Sequence, residues 1–529
     1  MQSPIGQCNS SSGDVMTNSD RLKWYCNEIL RRIEGSGPIS AIDFNTEGTH
    51  LAYGNADGIV STIEIGKADI SELTQHCHIC SKPYQIFLSH EPEFDCLKSQ
   101  AIEEKISHIR WLPRSGRSHF LLSSNERTIK LWQLTELPTQ SFSNLNFPVE
   151  CGCRRKVVIR SLSDIKVPVC VKNYENTNVR VLNRKIFARG HGFTIVGISP
   201  SADRETFFSA DPLRINMWNL EVTNEVFSIV DHMLDRLDDR SHLITGISCS
   251  NTSPSLFAYG TNRGSIFVCD TRSSSLCDHP SLAFHSLAAD ESNVLTILTN
   301  SISDLKFGKF SDHLVFSRDY MNVKTWDSRM PSQPVEIYPV QIHLRKHLTV
   351  LYETELLFDD FKLTVSSDDR FILTGSYSNT VKIFDRHNPI EGSYKLTMQD
   401  EEASSFIDPF RTTDGGGVGV GGVSGTSVFV SPLPDSIDIP WPRQLHDELI
   451  DITEGGGFSK QLSSPSQSFS PSPSPSSSSA SSSSLIDNSN EQLFTVDVGR
   501  KWLQVSWRSG SNVAAVSHSD GIHLIEALT

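Results

Sequence analysis

One spacing recurs seven times along this chain, and it restricts the fold to architectures that stack near-identical hairpins. A small residue is followed nine positions later by a bulkier one: Gly54 and Ile63, Ser123 and Trp132, Ser209 and Trp218, Gly260 and Cys269, Ser317 and Trp326, Gly375 and Phe384. Val516 and Ile525 keep the spacing without the small residue. Each pair lies in a segment of one pattern: LAYGNADGIVSTI (51–63), FLLSSNERTIKLW (120–132), FFSADPLRINMW (207–218), FAYGTNRGSIFVCD (257–270), LVFSRDYMNVKTWD (314–327), ILTGSYSNTVKIFD (372–385) and VAAVSHSDGIHLI (513–525). The first half is apolar on both faces, as a strand covered on both sides must be. A turn of Asn, Asp, Gly or Tyr follows, then an alternating strand that ends in a bulky side chain. Trp326-Asp327 is a WD dipeptide; Phe384-Asp385 and Cys269-Asp270 vary it.

A further strand-like piece precedes most copies: ISAIDF (39–44), ISHIRW (106–111), HLITGISC (242–249) and ISDLKF (302–307). About four strands per unit is the content of a propeller blade. The expected fold is therefore all-β, a seven-bladed β-propeller of the WD-repeat type. A sandwich of similar hairpins is the alternative, but a sandwich does not need one hairpin repeated in one register.

Uneven blade spacing exposes the insertions. Between the second and third blades, IKVPVCVKNYENTNVRVLNRKIFA (165–188) reads as two alternating strands joined by the polar turn NYENTN, with no core of its own. It is expected to be a projecting hairpin arm, which needs a partner surface to be stable; an extra hairpin folded onto the propeller remains open. The stretch 398–492 holds DGGGVGVGGVSG and SSPSQSFSPSPSPSSSSASSSS, a composition too poor in apolar residues to order itself. The expected organisation is a disordered N-terminus (1–20), blades one to six with the arm (21–397), a disordered loop (398–492) and a last blade (493–529) that closes the ring with help from an N-terminal strand. Ser-Pro pairs at 464–475 are candidate phosphorylation sites, each adding about −1.5 to −2 charge, or part of a neutral spacer.

Composition narrows the function. A net charge of −15 argues against a nucleic-acid or membrane surface as the default partner. Eleven cysteines in no regular framework suit reduced thiols. The polar start MQSPIGQCNSSSGDVMTNSD has no signal pattern, and no apolar run approaches the ~20 residues that span a bilayer. The expectation is a cytoplasmic protein, with the nucleus as a second compartment.

Catalytic and metal motifs are few. Gly417-Val418-Gly419-Val420-Gly421-Gly422 matches a dinucleotide fingerprint in letters only, since it follows no strand and opens no helix. His76, Cys77, His78 and Cys80 offer two or three zinc ligands, but Cys151 and Cys153 are too closely spaced for a good second pair, and a loop with free thiols is the simpler reading. There is no HExxH, GxSxG or P-loop motif. The expectation is a binding module, not an enzyme, with no cofactor.

The stretch SHEPEFDCLKSQAIEEKISHIRW (89–111) resembles the signature of the regulatory B subunits of protein phosphatase 2A of the 55 kDa WD-repeat class. HFLLSSNERTIKLW, RKIFARGH, SADPLRINMWNLE, SLCD, ISDLKF, SRDYMNVKTWD and TGSYSNTVKIFDR are similar to that family in the same order, over roughly 20–396 and weakly over 493–529. The resemblance implies a heterotrimer with a HEAT-repeat scaffold subunit and a metal-dependent catalytic subunit, phosphoprotein substrates recruited on the top face, and no metal in this chain. It implies that the arm contacts the scaffold, with Lys166, Val167, Pro168 and Val169 as candidate contacts. Glu103, Glu104 and Lys105 match the family's acidic segment on the substrate face, or are an ordinary solvated charge run.

Other groove positions depart from the family. Asp211 is followed by Pro212 where the family has a second aspartate. A Tyr-His pair is Phe193-Thr194; a leucine after two acids is Arg240, after Asp238-Asp239; a Phe-Phe pair is Val294-Leu295. The family's FDKF lysine is Asp360, in Phe358-Asp359-Asp360-Phe361. Loss of a carboxylate that pairs with a substrate cation costs a few kcal/mol, so either substrate choice is expected to differ from that of other members or recruitment is expected to be weakened.

Overall fold

The computed structural model describes residues 23–31, 37–67, 79–96, 99–143, 161, 165, 167–232, 242–274, 276–277, 279–285, 293–388, 393–398, 428–432, 500–518 and 521–528. Seven antiparallel sheets of four or five strands stand around a common axis, one per repeat. Their innermost strands are Ile39–Phe44, His108–Ser115, Gly197–Pro200, Ile244–Cys249, Asp304–Phe307, Leu363–Val365 and Gln504–Trp507. Each touches the next, and the last touches the first, so the ring is closed.

The nine-residue spacing has a physical cause in this packing. Its first member sits on the second strand, its second on the third strand, and the inner strand of the following blade presses against the pair. In three blades the small residue is a serine whose hydroxyl accepts the indole N–H: Trp132 on Ser123 at 3.0 Å, Trp218 on Ser209 at 2.8 Å, Trp326 on Ser317 at 2.8 Å. In three others it is glycine because a Cβ would collide. It would lie 2.6 Å from Ile106 Cγ2 at Gly54, 2.7 Å from Ile302 Cγ2 at Gly260 and 1.9 Å from the Trp502 carbonyl oxygen at Gly375. Hydrogen bonds also cross between inner strands. Asp43, Ser199, Ser248 and Ser506 accept from the backbone amides of Trp111, Cys249, Phe307 and Phe44 on the following blade.

The seventh blade draws on both ends of the chain. Gln504–Trp507, Val513–His518 and Gly521–Leu528 supply three strands, and Lys23–Arg31 adds the outermost, paired from Lys23 with Leu528 to Arg31 with Gly521. Trp24 anchors this strand. It is buried, with its ring edge-on to Phe371 of the sixth blade at 5.5 Å and to Trp507 at 6.1 Å. Five residues from the expected loop 398–492, Val428–Pro432, form a fifth strand on the sixth blade against Ser393–Met398; most of the remainder of that loop, residues 1–20 and the Ser-Pro pairs lie outside the described residues.

The arm is present, but its register corrects the expectation. NYENTN is not its turn. Val169–Phe187 runs as one strand antiparallel to Ile129–Ser143, from Phe187 opposite Ile129 to Val169 opposite Ser143. Ile129–Ser143 pairs with the propeller only as far as Thr135, opposite Ser118; beyond it the two strands leave as a ribbon. The polar hexapeptide is absorbed where Pro138 faces Thr177 and Thr139 faces Asn173. Pro138 has no N–H to give the ladder, so the register can slip there without losing a bond.

If the N-terminal strand closes the ring, Trp24→Ala lowers stability by about 3–5 kcal/mol, the range for removing a buried Trp or Phe. Urea unfolding followed by circular dichroism measures this; a loss below about 1 kcal/mol means that the ring is held without it.

Candidate functional site

Antiparallel order divides the connections between two faces. Loops from each outer strand to the next inner strand, and turns between second and third strands, open on one face. Turns between third and fourth strands open on the other, and the arm leaves from there. Every described groove candidate belongs to the first face. Glu103, Glu104 and Lys105 lie on the loop into blade two, Phe193 and Thr194 on the loop into blade three, Asp211 and Pro212 on the turn within blade three, and Phe358 and Asp360 on the loop into blade six. The first three groups share one arc of the ring. Phe358 and Asp360 stand apart from them, beyond blade four. Asp238, Asp239 and Arg240 lie outside the described residues.

On the shared arc Glu103, Lys105, Phe193 and Thr194 are exposed and Glu104 half-buried. Arg127 links the two loops, donating to the Gly192 carbonyl and, at 3.1 Å, to Gln100 Oε1. The Asn125 side chain donates to the Glu103 carbonyl at 3.3 Å, which fixes the backbone under the acidic pair.

Asp211 is not presented to solvent. Its carboxylate is fully buried and every bond it makes is internal. Oδ1 accepts from the amides of Leu213 at 2.9 Å and Arg214 at 2.7 Å, closing the turn. Oδ2 lies 3.0 Å from His191 Nδ1, His191 Nε2 lies 2.6 Å from Ser209 Oγ, and Ser209 accepts from Trp218. A carboxylate can only accept, so Nδ1 carries the proton, and the chain runs unbroken from face to core. Burial alone would raise the Asp211 carboxyl; the bonds from His191, Leu213 and Arg214 outweigh it and hold the group below its ordinary 3.8. Pro212 is half-buried, and its carbonyl accepts from Ile244 at 2.9 Å.

In Phe358-Asp359-Asp360-Phe361 the four side chains divide. Phe358 is 58% exposed and Phe361 buried. Asp359 is tied inward by the Tyr377 hydroxyl at 2.8 Å and Lys501 at 2.5 Å. Asp360 reaches the face but is paired with Lys362 at 2.6 Å.

Sequence reading missed the lid that carries Phe358. Ile342–His347, Leu348–Glu353 and Leu356–Phe358 form short helical turns over blades five and six, with Leu344, Leu351 and Leu357 buried against Tyr320, Phe361 and Tyr377. Leu344, Leu348 and Leu351 carry the helical i, i+4, i+7 signal. The lid exposes Tyr352 beside Phe358, rings 6.1 Å apart, so an apolar patch sits opposite the acidic arc.

On the other face, the arm root packs Val179 and Val181 against the core formed by Trp111, Trp132 and Leu134. Further out, Leu137, Val167 and Val169 are 41%, 74% and 52% exposed, and Pro168 is exposed. Lys166 lies outside the described residues.

Residues 361–385 match the family model described as WD domain, G-beta repeat. The chain is 36% identical over 380 residues to the beta isoform of the 55 kDa regulatory B subunit of serine/threonine-protein phosphatase 2A from Carassius auratus, covering 72% of this chain and 84% of that protein. It is 37% identical over 380 residues to the gamma isoform from Oryctolagus cuniculus, and 36% identical to that from Homo sapiens, each covering 72% of this chain and 83% of the relative.

Asp211 has a lowered carboxyl, so its contribution to stability is complete above pH 3.8 and is lost as pH falls through its lower folded value. Asp211→Asn is expected to cost about 1–3 kcal/mol at pH 7, as a buried bond to a charged group does. The gap to wild type should narrow in acid; urea unfolding at a series of pH values tests both, and a gap that widens in acid contradicts the assignment.

Proposed function

The chain belongs to the 55 kDa regulatory B subunit family of serine/threonine-protein phosphatase 2A, and we propose that it serves as a regulatory B subunit of that holoenzyme, joining scaffold and catalytic subunits and placing phosphoproteins for dephosphorylation. One observation carries the proposal: a match over 380 residues that spans 83–84% of regulatory subunits, on a seven-bladed propeller. The chain contributes placement, not chemistry; holding a substrate near a reacting centre converts a bimolecular encounter into an effectively unimolecular one.

Under this proposal the arm docks on the HEAT-repeat scaffold. A two-stranded ribbon that shows Leu137, Val167 and Val169 to water is marginal alone and gains from a partner surface. The opposite face takes the substrate, through Glu103 and Glu104 on one arc and Phe358 on the lid. Carboxylates there attract basic segments and raise encounter rates. The cytosol, and the nucleus with it, is the compartment we propose.

Affinity-tagged full chain expressed in eukaryotic cells is expected to recover scaffold and catalytic subunits in equal amounts. Recovery of a folded monomer without them would replace this reading with a propeller adaptor that has no phosphatase. Deleting residues 139–173, the outer ribbon and its tip, is expected to abolish recovery of the scaffold while circular dichroism stays that of the propeller; undiminished assembly refutes the arm's role. Pro212→Asp with Arg240→Leu is expected to strengthen binding of phosphoproteins recruited by the beta and gamma isoforms by at least tenfold, equivalent to about 1.4 kcal/mol. An unchanged Kd would show that these positions do not set the choice.

A further inference from the structure

Three side chains from three strands converge at the root of the arm. His50 opens the second strand of blade one, His119 lies in the second strand of blade two, and Glu136 is the first residue of Ile129–Ser143 beyond its last pair with the propeller. One ligand atom from each lies within 4.8 Å of the others. The two imidazoles are 5% and 2% exposed, with ring centroids 4.5 Å apart. Neither His50 Nε2 nor His119 Nε2 has a hydrogen-bond partner. Two unsatisfied imidazole nitrogens in one buried pocket are uncommon in protein interiors and call for an occupant.

The geometry also fits an ion. His119 Nε2 stands 3.7 Å from Glu136 Oε1, too far for a hydrogen bond. Metal–ligand bonds of ~2.0–2.2 Å at tetrahedral angles put neighbouring ligand atoms roughly 3.4 Å apart, so that pair needs only a small closure. Two of the three residues are already held by neighbours. Thr49 Oγ1 lies 2.8 Å from His50 Nδ1 and accepts from Asn45 Nδ2 at 2.9 Å. The Tyr84 hydroxyl donates to Glu136 Oε1 at 3.2 Å. Partners of this kind fix a ligating imidazole's tautomer and aim a ligating carboxylate. Arg114 Nη2 lies 3.7 Å from Glu136 Oε2, and Nη1 lies 3.7 Å from Glu47. It engages the second carboxylate oxygen, leaving Oε1 to the Tyr84 hydroxyl and the pocket, and its charge moderates the affinity.

We propose that His50, His119 and Glu136 bind a divalent transition-metal ion of the zinc type, with water in a fourth position. Two imidazoles and a carboxylate suit that class of ion. The resemblance to the phosphatase regulators implied no metal in this chain, and this proposal departs from that expectation. The ion joins blade one, blade two and the first outward residue of the arm, so its binding sets the angle at which the ribbon leaves the ring.

The test uses the purified full chain, stripped with chelator and titrated with Zn²⁺ by calorimetry, with metal content measured after desalting. One ion per chain is expected, with affinity at least tenfold weaker in His119→Gln and in Glu136→Gln. Glu136 is partly exposed, so its variant keeps the fold whatever becomes of the buried imidazoles; circular dichroism in chelator checks both. Co²⁺ in place of Zn²⁺ is expected to give visible d–d bands and no thiolate charge-transfer band. Absence of saturable binding, or binding unchanged in both variants, overturns the proposal. So does a thiolate band lost with Cys77→Ser and Cys80→Ser, which would assign the ion to those cysteines.

Discussion

Each blade is apolar on both faces, so it is stable only as far as its neighbours cover it, and the rest of the molecule depends on how closely one blade can approach the next. That distance is set at a single position on the second strand. Where it is glycine, the side chain of Ile106 or Ile302, or the backbone of Trp502, occupies the space of the missing Cβ. Where it is serine, the added oxygen is used at once by an indole N–H. Burying Trp218, Trp326 and their neighbours contributes about 25 cal/mol per Å² of apolar surface, while each indole hydrogen bond adds a net ~0.5–1.5 kcal/mol. Packing therefore dominates, and the bond fixes the rotamer. A ring assembled this way has no stable open form, because its first and last blades would each leave an apolar face in water. The strand around Trp24 removes that exposure by tying the chain's start to its end.

Closure has a consequence for function. Seven sheets hold the loops of one face at fixed positions around an axis, so residues far apart in sequence act as one surface. The inward bonds decide which of them are available. Asp211 and Asp359 are spent on the scaffold, one on the chain from His191 to Trp218 and the other on Tyr377 and Lys501. Glu103, Lys105, Phe193, Thr194 and Phe358 are left to solvent. The opposite face carries the arm, whose outer residues Leu137, Val167 and Val169 stand in water.

The repeat made the propeller legible because its spacing reports a local contact, a residue and its neighbour across one hairpin. The face of the groove candidates came from the family resemblance, and the antiparallel order of the blades puts the described ones on one face. What the sequence concealed was always a contact between distant segments. NYENTN reads as a turn, and becomes strand because Thr135–Ser143, some 35 residues earlier, pairs with Asn173 on one side of the register shift and with Thr177 and Asn178 on the other. The lid was marked by the Leu344, Leu348 and Leu351 period, yet its place over Tyr320 and Tyr377 depends on blades five and six being adjacent. Asp211 looked like a groove acid because its pairing with His191 spans twenty positions. His50, His119 and Glu136 carry no spacing at all, since three separate strands bring them together.

The same separation of buried from exposed charge changes what the departures from the family amount to. Replacing a lysine by Asp360 removes a positive charge, but Lys362, 2.6 Å away, neutralises the new carboxylate, so that spot does not turn acidic. Pro212 is the opposite case. The neighbouring Asp211 cannot stand in for a missing carboxylate, because its oxygens already serve the turn and His191. At that point of the arc the described acids are engaged, Asp211 in the turn and Asp231 with Arg214 at 3.0 Å, and the exposed carboxylates nearest it lie on the loop into blade two, on Glu91, Glu93 and Glu103. On the regulatory reading a basic substrate segment would then be drawn towards the loop into blade two, while its apolar residues find Phe193 beside that loop and Phe358 and Tyr352 on the lid. A shift in where charge sits on a rigid ring alters which sequences fit it without altering the fold, and the propeller beneath has no reason to change.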